Sequence, residues 1–294
     1  MFDPNYALFT AGSSGNSYHP SAQSYANREH LEYFKFIGRI TGKALYDGYL
    51  LDAYFTPAFY KHILSLPLTY LDLEPEDYEY FKSLKWILDN SPVEDYLELN
   101  FTYSFDHFGE VQTRELLSGG ENIAVTDQNK HQYVQLISNA KMTTNVHQQL
   151  EAFLEGFHEL IPHSLIRIFN EKELEILISG RPTIDIEDLK RNTDLVNYQK
   201  HDRIIVWLFE VLEDLDMELR TAFLQFVTGS SRVPVEGFKE LRGMNGCQKF
   251  NIHREFQADR LPRAHTCFNQ LDLPNYQSKE ILVEKLMLAI TEGK

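Results

Sequence analysis

The chain has 294 residues, 43% hydrophobic and 24% charged, a balance that suits one large or two modest folded domains and argues against disorder. Its formal net charge is −15, of which residues 1–182 carry −12 and residues 183–294 carry −3. An acidic first part argues against binding a nucleic-acid backbone and fits either basic protein partners or a solvated acidic surface. Two cysteines, Cys247 and Cys267, give neither a disulfide framework nor a metal-ligand spacing. With no apolar run long enough to span a membrane and no signal-like N-terminus, a cytoplasmic protein is expected.

Residues 11–29 are small and polar and read as an exposed loop. From His30, apolar side chains at Leu31, Phe34, Ile37, Ile40 and Ala44 recur at helical spacing, and Gly38 and Gly42 permit close approach of a neighbour. Gly38 to Ala44 also imitates a phosphate-binding loop. It is one residue short between the glycines and has Ala44 where a hydroxyl would bind magnesium, so nucleotide binding is rejected. Leu97, Leu99, Phe101, Tyr103 and Phe105 alternate with mostly polar partners as a half-buried strand, and Ile123–Val125 suggests a second. Asn100-Phe101-Thr102 matches a glycosylation sequon, for which a chain without a secretory signal has no use.

Thr126 looks like the N-cap of a helix through Ile137, and Val146, Leu150, Phe153, Phe157 and Leu160 stripe another. His158 and His163 have the wrong spacing for a zinc-binding helix, which Pro162 interrupts; no metal or cofactor is expected. Asn170-Glu171-Lys172-Glu173 resembles a capping box opening a helix to Ile178. Ser179-Gly180-Arg181-Pro182 then breaks the pattern, which places a boundary there between residues 1–180 and 183–294, with 181–182 as a hinge. Helices follow near Arg203–Leu212 and Met217–Val227, then a strand with Phe250, Ile252 and Phe256 on one face. A closing helix from Ser278 is striped by Leu282, Leu286 and Ala289. Helices mixed with mostly antiparallel strands give an α+β class.

Leu261-Pro262-Arg263-Ala264-His265-Thr266-Cys267-Phe268-Asn269 carries the chemistry. A lone cysteine reads first as a small buried hydrophobe, but His265-Thr266 and Pro262 argue for a loop, where reactive residues tend to sit. Between Lys249 and His265, four basic residues face two acidic ones, an electropositive spot that favours a thiolate. Cys247 lies among turn residues with no histidine beside it and is assigned no role.

This segment, with Gln270-Leu271-Asp272-Leu273-Pro274, resembles the active-site stretch of HECT ubiquitin ligases, the Nedd4-type subgroup in particular. FDPNYALF (Phe2–Phe9), EYFKFIGRITGKALYDGYLLD (Glu32–Asp52), SLKWILDN (Ser83–Asn90), GFHELIP (Gly156–Pro162) and LQFVTGSSRVP (Leu224–Pro234) agree in order along almost the whole chain. The resemblance implies a bilobed ligase with a mainly helical N-lobe, small β elements and a smaller α/β C-lobe. Such an enzyme takes ubiquitin from an E2 onto Cys267 as a thioester and passes it to a substrate lysine. It implies Thr266 as part of the motif; His265, two residues from Cys267, is by its own chemistry the candidate to raise the thiolate fraction, although each also reads as an ordinary loop residue. It marks Tyr133 and Ile137 as the E2-binding position and Tyr6 and Phe108 as a non-covalent ubiquitin surface; residue type alone would put all four in a core. Substrates are expected to be recruited by domains outside this chain, and both ends look cut relative to the resemblance. A cysteine hydrolase, or a fragment that only binds ubiquitin or E2, are the alternative classes.

Overall fold

A computed structural model describes residues 6–13, 17–107, 110–244 and 246–292. Its contacts divide the chain into two compact units, Met1–Asp47 with Ala53–Glu175, and Gly48–Asp52 with Ile176–Lys294. Helices dominate and small sheets accompany them, so the fold is α+β.

In the first unit a short antiparallel hairpin, β1 (Phe9–Ala11) and β2 (Tyr18–Pro20), precedes the long helix α1 (His30–Asp47). Helix α1 packs against α5 (His147–His158) at a crossing built from glycines. A Cβ on Gly38 would collide with the carbonyl of Phe153, and one on Gly156 with that of Lys35. Ion pairs of Lys35 with Glu155 and Arg39 with Glu159 flank the crossing. The glycines therefore set which face of α1 is buried. Phe34, Ile37, Thr41 and Gly42 turn inward, while Ile40, expected on the buried stripe, stays 43% exposed.

Helix α2 (Pro57–Ile63) is capped by Thr56 and starts on a proline, which suits the first turn because its missing N–H would go unused. Its Phe59 packs edge-on against Phe153 of α5 at 4.7 Å. A second core gathers α3 (Tyr78–Asp89), the antiparallel pair β3 (Thr102–His107) and β4 (Glu110–Glu115), and α4 (Lys130–Met142). The expected alternation is visible in Phe101 and Tyr103, both buried, but regular pairing begins only at Thr102. The stretch Ile123–Val125 contributes one isolated bridge, Asn100 to Ala124, rather than a strand. Thr126 lies one turn before α4: Asn129 Oδ1 accepts from its backbone N–H, and the helix starts at Lys130. After α6 (His163–Ile166), the capping box at Asn170 forms as expected, with Asn170 Oδ1 accepting from Lys172 and Glu173 and Glu173 returning to Asn170 N, and α7 (Glu171–Ser179) follows.

The second unit holds α8 (Ile186–Arg191), β5 (Thr193–Val196), α9 (Arg203–Asp214), α10 (Met217–Thr228), the small hairpin β6 (Arg242–Gly243) and β7 (Gly246–Cys247), then β8 (Phe250–Glu255), β9 (Arg263–His265), β10 (Gln270–Pro274) and α11 (Lys279–Glu292). Its four strands run in the order β5-β8-β10-β9. Within this sheet β5–β8 and β8–β10 are parallel and β10–β9 is antiparallel, while the pairs β1–β2, β3–β4 and β6–β7 are antiparallel, so antiparallel pairing predominates among the described residues as expected. Parallel pairing needs a long crossover, here α9 and α10 between β5 and β8. Ile252, Leu271 and Leu273 of the sheet meet Leu208, Val227, Leu282 and Leu286 of the helices in one buried core. Phe256, expected on the inner face of β8, lies past the end of that strand and is exposed.

Two features frame this unit's chain ends. Gly180, at φ +81°, leads into Arg181, which exchanges both backbone hydrogen bonds with Val233. The strap Gly48–Asp52, although it follows α1 in sequence, is held inside this unit. Leu51 N–H donates to the carbonyl of Ile178, Asp52 accepts from Gln225 and Ser231, and the guanidinium of Arg242 lies 5.7 Å over the ring of Tyr49.

Candidate active site

Strands β9 and β10 are joined by a tight turn, Thr266–Phe268, closed by Asn269 in the left-handed region at φ +49°. Asparagine tolerates that conformation better than most residues, so the motif's last residue is where the chain reverses. Cys267 sits on the turn, exposed, with Phe268 43% exposed beside it. Thr266 packs its side chain towards Gly229, the left-handed cap that ends α10. The turn thus rests on a helix end on one side and on the sheet on the other.

Strand pairing sets a histidine against an acid. Register puts His265 opposite Gln270 and Arg263 opposite Asp272. His265 Nε2 lies 2.9 Å from Asp272 Oδ2, whose other oxygen accepts from Gln270 Nε2 at 2.6 Å. A carboxylate only accepts, so Nε2 is the protonated nitrogen and Nδ1 is left for another partner. The dyad is half open to solvent, with His265 49% and Asp272 22% exposed at the side chain. In chemical terms an exposed thiol, an oriented imidazole and a fixed turn equip the site for acyl transfer through a cysteine.

The basic surplus expected around the cysteine is partly spent locally. Lys249 lies 3.6 Å from Asp194 and Arg260 3.7 Å from Glu255. Arg254 stacks over the rings of Tyr198 and Phe256, and Arg263 is exposed on β9. Cys247 is also an exposed free thiol, its Sγ facing the carbonyl of Lys239 on the β6–β7 hairpin. Asp272 stood in the quoted segment without a role and Asn251 outside it, because only strand register brings them to the turn.

The other expected positions lie in the first unit. Tyr133 (5% exposed) and Ile137 (1%) both belong to the core around α3 and α4. Tyr133 also reaches a cleft of about 410 Å³ lined by Tyr80, Leu84, Trp86, Ile87, Leu97 and Leu99. Burial pushes the phenols of Tyr80 and Tyr133 above their usual range. Trp86 and Tyr96 stand edge to face at 6.0 Å, both substantially exposed. Tyr6 is 57% exposed, and Phe108 lies outside the described residues. His158 and His163 each direct a ring nitrogen to a backbone carbonyl, of Ile161 and Leu64.

Comparison with known proteins brings one family forward. The model of the HECT domain, described as a ubiquitin-transferase, matches residues 1–294. The chain is 52% identical to an E3 ubiquitin-protein ligase TOM1-like of Neurospora crassa, across 100% of its own length and 7% of that protein. It is 50% identical to E3 ubiquitin-protein ligase UPL1 of Arabidopsis thaliana, across 100% of this chain and 8% of the relative. Against E3 ubiquitin-protein ligase HUWE1 of Mus musculus the identity is 51%, over 99% and 7% respectively. The chain therefore spans less than a tenth of the length of these relatives.

Proposed function

The chain belongs to the HECT-domain family of ubiquitin transferases, and on that premise we propose that it accepts ubiquitin from an E2 enzyme as a thioester on Cys267 and delivers it to a substrate lysine. The observation that carries this reading is the exposed thiol on a turn fixed between β9 and β10, two residues from the imidazole that Asp272 orients. Transfer between thiols is nearly balanced in free energy, so the site has to supply proximity and a fraction of thiolate rather than a driving force. Such a site needs no bound metal or cofactor for its chemistry.

Within this proposal Thr266 holds the turn against Gly229 and His265 accepts or returns a proton near the thioester. The cleft that Tyr133 reaches, with the exposed Trp86–Tyr96 pair at its side, is the E2-docking position; Ile137 supports it from the core. Tyr6, exposed, and Phe108 form the proposed non-covalent ubiquitin surface. Residues 1–180 act as the N-lobe and 183–294 as the C-lobe, about a hinge at 181–182, and substrates are recruited by domains of a longer protein. The Nedd4-type subgroup rests on the quoted motifs alone, since the relatives named above are TOM1-like, UPL1 and HUWE1 ligases. A cytoplasmic setting is supported by two free, exposed thiols.

A non-reducing gel with E1, E2, ATP and ubiquitin tests the reading. A thiol-sensitive adduct that survives Cys247→Ala and disappears in Cys267→Ala is expected. Turnover of a model ester with no adduct would favour a cysteine hydrolase, and binding without either would favour a docking module.

A further inference from the structure

We infer that Asn251 and Asn269 are positioning residues for Cys267, a step that rests on the proposed thioester chemistry. All four backbone carbonyls of the turn accept a hydrogen bond. Thr266 O accepts from Asn269 N at 3.2 Å and Cys267 O from Met244 N at 2.7 Å. Phe268 O accepts from Asn251 Nδ2 at 2.8 Å, and Asn269 O from Asn251 N at 2.9 Å and Asn251 Nδ2 at 3.3 Å. Asn269 Nδ2 in turn donates to Arg242 O at 3.1 Å and Gln248 O at 2.7 Å. One asparagine ties the turn to β8, and the other ties it to both arms of the segment that holds β6 and β7. Gly243 leaves the room this needs, since a Cβ there would stand 2.6 Å from Cys267 O.

The two side chains are 7% and 0% exposed, so neither is placed for contact with a partner. Asn269 also carries a cost that a simple turn residue would not. Glycine would satisfy its positive φ, yet an amide stands there with Oδ1 buried and no partner among the described residues. The amide's donors are its contribution, and they end on the carbonyls of Arg242 and Gln248, at the two ends of the segment whose Met244 N–H holds Cys267 O. Transfer from an E2 requires the attacking sulfur to be held close to a carbonyl carbon, and a misplacement of about 1 Å costs roughly a hundredfold in rate. Asn251 and Asn269 fix the backbone that follows that sulfur, at residues 268 and 269, without being the reacting groups.

The test uses the full chain with Cys247→Ser, so that Cys267 is the remaining thiol. Asn269→Gly keeps the backbone conformation and removes the amide; Asn251→Ala removes the other tie, with Asn251→Ser in reserve if Ala lowers the melt below the assay temperature. In single-turnover loading from an E2–ubiquitin conjugate, the maximal rate is expected to fall about tenfold or more with KM unchanged. Alkylation of Cys267 by iodoacetamide should change several-fold at one pH, in protein that melts above the assay temperature. Folded variants that load and alkylate at parental rates would overturn the inference, as would a loss that tracks only the melting temperature. If the parent chain takes no ubiquitin, the transferase reading fails, while the alkylation rates still decide whether the asparagines set the thiol.

Discussion

Three titratable side chains make the first unit sensitive to pH. Burial pushes His19 and His62 down to about 4, and pushes the Glu76 carboxyl up to about 7. His19 Nδ1 lies 2.9 Å from Thr56 Oγ1 and 3.6 Å from Glu76 Oε2; His62 faces the carbonyl of Met142, and Lys141 and Asp77 act on Glu76. Between pH 4 and the ordinary histidine value of 6.5, the unfolded chain binds more protons at both histidines, so stability falls as pH falls. Glu76 has the opposite sign: between its ordinary 4.5 and about 7 the folded state binds the extra proton, and stability falls as pH rises. Two histidines outweigh one carboxyl below 6.5, and Glu76 acts alone above it. Denaturant melts of the first unit should therefore peak near pH 6.5, and Glu76→Gln should remove the upper decline. A decline that persists in that variant would assign it to another group. At the second unit's site, Asp272→Asn leaves His265 without its carboxylate, and loading should slow by about tenfold or more with little change in the melt; equal loading would show that the pairing of His265 with Asp272 does nothing for the thiol. Cys267, His265 and Thr266 were legible because they are contiguous. Asp272 and Asn251 were not, since His265 and Asp272 are seven positions apart and Asn251 and Phe268 seventeen, and only strand pairing closes those gaps.

At the level of elements, the α1–α5 crossing is the most constrained contact. Gly38→Ala places a methyl into the Phe153 carbonyl, and either the helices part or strain accumulates, at about 1–3 kcal/mol. A lowered thermal midpoint is expected; an unchanged one would mean that the helices separate freely. The sequence marked these glycines as a close approach, but helical periodicity alone placed Ile40 on the buried face. What overrides it is the partner: a helix that packs through glycines buries the groove between them rather than its most apolar stripe. Helices α9 and α10 were readable end to end, because their apolar spacing is long and an aspartate or a left-handed glycine punctuates α10. Strands β4 and β5 were not. Each is short, polar on one face, and paired with a partner whose position depends on the fold, as Thr193 with Phe250 illustrates. The parallel order of the second sheet is likewise a property of its crossover, not of any one strand's residues.

For the molecule as a whole, the proposed ubiquitin transfer would require backbone freedom between the two units. The chain's contacts change allegiance at Asp47/Gly48, Asp52/Ala53 and Glu175/Ile176, while the hinge proposed from sequence at 181–182 lies where Arg181 and Val233 exchange hydrogen bonds. Gly180→Val forces a branched side chain into a positive φ beside the Val233 carbonyl and Leu50. It should lower the second unit's stability by about 1–3 kcal/mol. If rotation occurs at 181–182, loading and discharge should both slow in single-turnover assays performed below the melt; parental rates in a folded variant would move the pivot elsewhere. The sequence showed the Gly-Pro break but not the strap Gly48–Asp52, since nothing in five residues after a helix announces a distant partner. That strap makes the second unit discontinuous in the gene. A chimera that exchanges residues 176–294 with a relative carries the cysteine across but leaves behind the partners of Ile178, Gln225, Ser231 and Arg242. Recombination would respect this unit only if Gly48–Asp52 travelled with it, so inherited variation at the strap and around Arg242 is expected to move together.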